Sequence, residues 1–220
     1  MMAFTLWDIL RNLLLAARWT VLLSIVGFVC GGSLGVLLLM LRVGPNRVLR
    51  TAVALHVEVF QGTPLLMQLF LVFFGLPLVG VDVEPWLVAG LALTLSASAY
   101  LTEIWRGCVE AIPLGQWDAA ASLGLHRLQQ LRLVILPQAL RIAVAPTVGF
   151  FVQLVKSTAL TSIIGFDELL KTANVINNAT FEPFTVYGVV ALIYFALCFP
   201  LSSCARLLER RLQGSGGLAT

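Results

Sequence analysis

Charge is scarce in this chain. Of 220 residues only 11% are Asp, Glu, Lys or Arg, against roughly a quarter in an average soluble domain. Lysine is reduced to Lys156 and Lys171, and histidine to the isolated His56 and His126. A net charge of +3 with no basic run lacks the electrostatic footprint that nucleic-acid binding requires. Neither lysine follows a glycine, so the Gly-x4-Gly-Lys-Ser/Thr cradle for nucleotide phosphates is missing. Lys156-Ser157-Thr158 ends like that motif but follows Val155. Cys30, Cys108, Cys198 and Cys204 form no CxxC pair, so they mark neither a disulfide framework nor a zinc site. A membrane-embedded enzyme would need a His-x-x-x-His pair, paired carboxylates within an apolar run, or a serine with a base, and none occurs. A channel would need a filter-like repeat, which is also missing. These two remain the alternative reading, and no catalytic or metal-binding residue is assigned.

What is present is long apolar sequence. Hydrophobic residues make up 59% of the chain, and the mean hydropathy is +0.95. A soluble globule of this length leaves too many side chains wet to hide so much apolar surface. A membrane-crossing helix needs about 20 mostly apolar residues. Four uncharged stretches and a fifth with Lys156 as its single charge predict five spans, at about 19–41, 59–81, 85–102, 142–160 and 184–205. The fourth opens after Arg141 and reaches Lys156 roughly 22 Å further on, where a lysine can snorkel to the interface. The expected fold is an all-α integral membrane protein, with residues 1–220 as one transmembrane domain. Arg11 and Arg18 imitate the start of a secretory leader, yet Cys30-Gly31-Gly32-Ser33 runs into more apolar sequence instead of a polar mature start. Phe4 to Ala17 reads as a short interfacial helix anchored by Trp7 and Trp19.

Positive residues set the expected orientation. With the C-terminus and the loops after spans one and three on one side, that side holds Arg42, Arg47, Arg50, Arg106, Arg127, Arg132, Arg141, Arg206, Arg210 and Arg211. The other side keeps Arg11, Arg18, Lys156 and Lys171. The N-terminus is therefore expected outside and the C-terminus in the cytoplasm.

Between spans three and four, over about 103–141, charges return but the pattern stays helical. Glu103, Arg106 and Glu110 have the spacing of ion pairs on one helix face. Pro113 can open a helix, Gln116 to Leu123 continues it, and Gly124 stops it. Leu125, Leu128, Leu131, Leu133 and Leu136 carry a second apolar face up to a break at Pro137. Two short helices with a glycine hinge are expected at the cytoplasmic surface. Ala119, Ala120 and Ala121 would let a partner's backbone approach closely, with Asp118 as a fixed charge near the helix start.

Asp118-Ala119-Ala120, then Gly124, then Val134-x-Leu136-Pro137 resembles the EAA loop of bacterial ABC importer permeases, Glu-Ala-Ala-x3-Gly-x9-Ile-x-Leu-Pro. Asp stands for Glu and Val for Ile, with every spacing kept. Three further segments are similar to the polar amino-acid branch of that family, the one for His, Glu, Gln, Arg and opines. They are Glu58 to Phe70, Lys156 to Gly165 followed by Glu168-Leu169, and Glu209-Arg210-Arg211-Leu212. Gln61 departs from the arginine that relatives commonly carry. The resemblance implies that Gln116 to Gly124, with Leu136 and Pro137, couples the chain to separate ATPase subunits. ATP and Mg would be bound there, and no cofactor by this chain. It also implies a second permease subunit (homodimer or close paralogue), a periplasmic solute-binding protein, a lipid surround and a polar amino acid as cargo.

Polar groups inside a span usually face a cavity or another helix. Gln61, Thr63 and Gln68 in span two, with Gln153, Ser157 and Thr158 in span four, are the pathway candidates; gluing helices together is the other role open to them. Pro64 and Pro146 can expose backbone carbonyls locally. Gly27, Gly31 and Gly35 recur every four residues and predict a close helix contact in span one.

Overall fold

The structure, a computed structural model, describes residues 5–44 and 46–214, with side chains as far as Arg210. Helix α1 spans Leu6–Val43 as one element of 38 residues. Its start is fixed by a reciprocal cap: the Asp8 amide donates to Thr5 Oγ1 at 3.2 Å, and the Thr5 amide donates to Asp8 Oδ2 at 3.0 Å. The interfacial helix expected over Phe4 to Ala17 is thus the opening stretch of α1, apart from Phe4, which lies outside the described residues. Nothing between Trp7 and Trp19 breaks a helix, and Ile9 and Leu13 are buried against Leu169, Ala173, Val186 and Val190. Tertiary burial holds one face of this stretch, while Leu6, Trp7, Leu14 and Leu15 stay exposed on the other.

The second expected span, 59–81, is broken. Helix α2 (Arg47–Gly62) and helix α3 (Leu65–Leu78) meet at 103° across Thr63-Pro64. Pro64 has no N–H to continue the ladder and disfavours helical geometry at Thr63, which is extended at φ −115°, ψ 140°. Asn46 caps α2, its Oδ1 accepting from the Val48 amide at 2.9 Å.

Helix α4 (Pro85–Glu110) opens with proline in its first turn and runs past the expected end at 102. The uncharged run stops there, but Arg106 pairs with Glu103 and Glu110 along one face, so the charges extend the helix. A short helix α5 (Leu114–Ser122) follows. Helix α6 (Arg127–Gln129) then passes through a π-helical stretch, Gln130–Ile135, directly into α7 (Leu136–Ser157). Pro137 therefore does not end a loop helix as expected. The Leu136 amide donates to Leu131, five residues back, and this wider register accommodates the proline. A 3-10 segment (Thr158–Ile164), α8 (Leu169–Thr180) and α9 (Pro183–Gly214) complete the described residues.

Among the described residues, four helices are long and apolar enough to cross a membrane, and the bent α2–α3 pair makes a fifth if it counts as one crossing. The core centres on α4. Leu93, Ala97 and Leu101 pack with Leu23 of α1, Leu69 of α3 and Phe150 and Leu154 of α7. The expected glycine face of α1 is where α4 lies closest. A Cβ at Gly31 would sit 2.5 Å from that of Ala97, and one at Gly27 would sit 3.1 Å from that of Leu93. Thr102 Oγ1 donates to the Gly35 carbonyl at 3.1 Å, tying the same two helices.

Candidate functional site

The segment between α4 and α7 holds the first set of candidates. Pro113 precedes α5, and Gly124 ends it at φ +73° in a Schellman arrangement. The Leu125 amide donates to Ala120 at 3.3 Å and the Gly124 amide to Ala121 at 2.9 Å. An L side chain at 124 would strain this turn, which explains the glycine. Beneath α5, Ile112, Ile135 and Ala139 form a small core with Trp117, Leu131 and Val134. Gln138 donates to the Gln116 side chain at 3.2 Å and to the Val134 carbonyl at 2.8 Å, tying α5 to α7.

Gln116, Asp118, Ala119, Gly124, Leu136 and Pro137 are all exposed. Ala120 is not: it is 1% exposed. The alanine patch is thus divided, with Ala119 and Ala121 outward and Ala120 sealing the loop's own interior. Leu114 and Leu123, at the two ends of α5, are each 79% exposed.

The second set of candidates meets only in part. Thr63, Gln153 and Ser157 line a cavity of about 60 Å³. Phe60, Leu65, Ser96, Tyr100, Phe150 and Leu154, none of them singled out from sequence, complete it. The Tyr100 and Phe150 rings stack there with centroids 5.5 Å apart. Ser96 and Tyr100 stand four residues apart in the third uncharged run, a polar signal of the kind used for spans two and four. Every residue lining the cavity is uncharged.

Gln61, Gln68 and Thr158 do not line it. Gln61 reaches the Ala99 carbonyl at 3.4 Å and joins α2 to α4. Thr158 is fully buried, its hydroxyl on the Val155 carbonyl at 2.8 Å. Gln68 is buried at the α2–α3 break.

A third polar cluster lies at the start of α8. Glu168 is fully buried and caps that helix, accepting from the Lys171 amide at 2.8 Å. It also accepts from the Tyr194 hydroxyl of α9 at 3.2 Å and the Thr20 hydroxyl of α1 at 3.4 Å. The Thr20 oxygen in turn accepts from the Leu169 amide at 3.2 Å. Burial pushes the Glu168 carboxyl above the usual range, and these donors pull it only part of the way back.

Among the described residues, four helices, or five crossings with the bent pair, have the length and apolarity of a multi-pass membrane component. The chain belongs to the family of binding-protein-dependent transport system inner membrane components, which matches residues 27–214. It is similar to the probable amino-acid ABC transporter permease protein YckA of Bacillus subtilis, with 34% identity across 88% of this chain and 85% of that one. It is also similar to HisM of Salmonella typhimurium, a histidine/lysine/arginine/ornithine transport system permease, with 37% identity across 87% and 86%. A crystal structure described as an amino acid ABC transporter with histidines superposes with a TM-score of 0.89 at 29% identity, covering 96% of this chain and all of that one. The protein is accordingly the transmembrane permease subunit of an ABC importer, multi-pass in the membrane, with ATP hydrolysis on a separate partner chain.

Proposed function

We propose that the chain carries a polar amino acid inward across the bacterial cytoplasmic membrane and is driven through α5 by a separate ATPase that binds the ATP and Mg. The observation that carries the coupling is the build of α5. It is fixed from beneath by the Ile112–Ile135–Ala139 core and at its end by the Gly124 turn, while Leu114, Asp118 and Leu123 stay exposed. Exposed leucines on a rigid short helix outside the apolar crossings mark a surface for a partner. Amino acids as cargo follow from the relatives' printed descriptions, and an uncharged cavity with hydroxyl and amide groups suits a zwitterion. In this reading α2 and α3 form one broken crossing: α2 packs beside Ser98 and Ala99, and α3 beside Val88 and Leu93 nearer the other end of α4. Five crossings then put the termini on opposite sides, and the arginine distribution favours the N-terminus outside and the C-terminus in the cytoplasm. A second permease subunit completes the path, and a periplasmic solute-binding protein delivers the solute.

The test is co-purification of an amino-acid-importer ATPase with the tagged permease. Wild type retains it, and Asp118→Arg and Leu123→Asp each retain less than a tenth as much. Both positions are exposed, so the loop's core is left intact. Full retention by both variants sinks the coupling assignment.

A further inference from the structure

A helix running on through residue 64 would satisfy the Phe60 carbonyl with its amide, and Pro64 has none. The break also leaves the Thr63 carbonyl without its helical partner, because the Met67 and Gln68 amides both turn to Pro64. Within a bilayer such carbonyls need donors from the protein itself. Gln68 supplies them. Its Nε2 lies 2.9 Å from the Phe60 carbonyl, 3.0 Å from the Thr63 carbonyl and 3.0 Å from Thr63 Oγ1. Two N–H groups are thus shared among three oxygens, and the Gln68 backbone amide holds Pro64 at 3.2 Å.

The orientation of this amide is not free. Turned over, its oxygen would face two carbonyls, so the nitrogen must point at the break. Oε1 is then left buried, with no hydrogen-bond donor among the described residues. A buried acceptor without a donor is a cost that an apolar residue would not incur. Packing alone therefore does not account for glutamine here. What the break carries does: Phe60, Thr63 and Leu65 form the wall of the cavity that faces Gln153 and Ser157.

We propose that Gln68 is a positioning residue for transport. It replaces the donor that Pro64 removes and so holds the bend that sets the Phe60–Thr63–Leu65 wall against the α7 wall. This rests on reading the cavity as part of the solute path.

The experiment compares wild type, Gln68→Met and Pro64→Ala/Gln68→Met in the full transporter, reconstituted with its ATPase and binding protein. Uptake of L-glutamine, L-histidine and L-cystine is measured, and the best-carried of the three is followed. Gln68→Met raises KM at least tenfold while the maximal rate stays within about twofold, and it lowers the melting temperature. In the double variant residue 64 again donates to Phe60, so the melting temperature returns, but KM does not because the bend is gone. An unchanged KM in Gln68→Met, or a KM restored in the double variant, overturns the proposal.

Spin labels placed at the exposed positions by Val59→Cys and Leu71→Cys, in chains lacking the native cysteines, read the bend itself. Their separation shifts in Gln68→Met if the amide holds the bend and stays put if it does not, whatever the solute. ATP-dependent uptake of no amino acid by wild type would overturn the solute-path reading, and the label distance would then decide the role of Gln68 by itself.

Discussion

A methyl group added at Gly31 would lie 2.5 Å from the Ala97 Cβ and 3.0 Å from the Thr94 carbonyl oxygen, distances that only a shift of backbone relieves. Gly75 in α3 has nothing within 4 Å of the same point. Gly31→Val is therefore expected to destabilise the protein by about 1–3 kcal/mol or more through overpacking. Gly75→Ala should be neutral or stabilising by up to about 1 kcal/mol, as for glycine in a helix interior. Thermal unfolding in detergent checks both. This contact was legible in the sequence because a four-residue glycine repeat has few other physical uses in an apolar helix. The inward turn of Ala120 was not, since alanine is small enough to serve either face and only the turn at Gly124 decides. Nor was the role of Gln68. An amide in an apolar run announces that something polar is near, without saying that the polar thing is the backbone eight residues back.

Glu168 joins three helices through one carboxylate. Because burial raises its pKa, the folded state holds the proton more tightly than the unfolded chain. Stability then falls as pH rises from the unfolded value, about 4.3, through the folded one. The melting temperature of wild type is expected to drop as pH rises above about 4.3, and Glu168→Gln should flatten that slope. An equal slope in the variant would show that other groups carry it. Element boundaries were the part least readable from charge. The stretch 85–102 ended where its charges begin, yet Arg106 and its two glutamates lengthen α4 by two further turns. The run 59–81 looked continuous because Thr63-Pro64 is as uncharged as its neighbours. Backbone chemistry, not hydropathy, divides it.

At the scale of the whole molecule, the cavity proposed for the solute is walled by hydroxyl, amide, aromatic and aliphatic groups with no ionisable carboxylate or guanidinium. Taking a charged side chain out of water without a partner is costly. Excess unlabelled glutamine or serine should therefore inhibit uptake by the assembled importer at least tenfold more strongly than arginine or glutamate. Equal inhibition by arginine would show that charge is supplied from outside this cavity. Family likeness in the sequence pointed to polar amino acids in general, charged ones included; the narrower preference was not legible there, since the groups that meet in the cavity come from three separate stretches of chain.

The unbroken length of α1 matters for how such an assembly moves. Thirty-eight residues make a rod roughly 57 Å long at 1.5 Å per residue, nearly twice the thickness of a hydrocarbon core of about 30 Å. It cannot stand upright wholly within lipid, so it must lean or overhang. One end is clamped by α8 and α9, and the glycine face further along grips α4. A rigid rod transmits tilt: with the clamped end as pivot, a 10° tilt sweeps the other end through about 10 Å at this length, carrying the α4 contact with it. Small repacking at the Glu168 cluster would then be felt as a large displacement at the opposite membrane face.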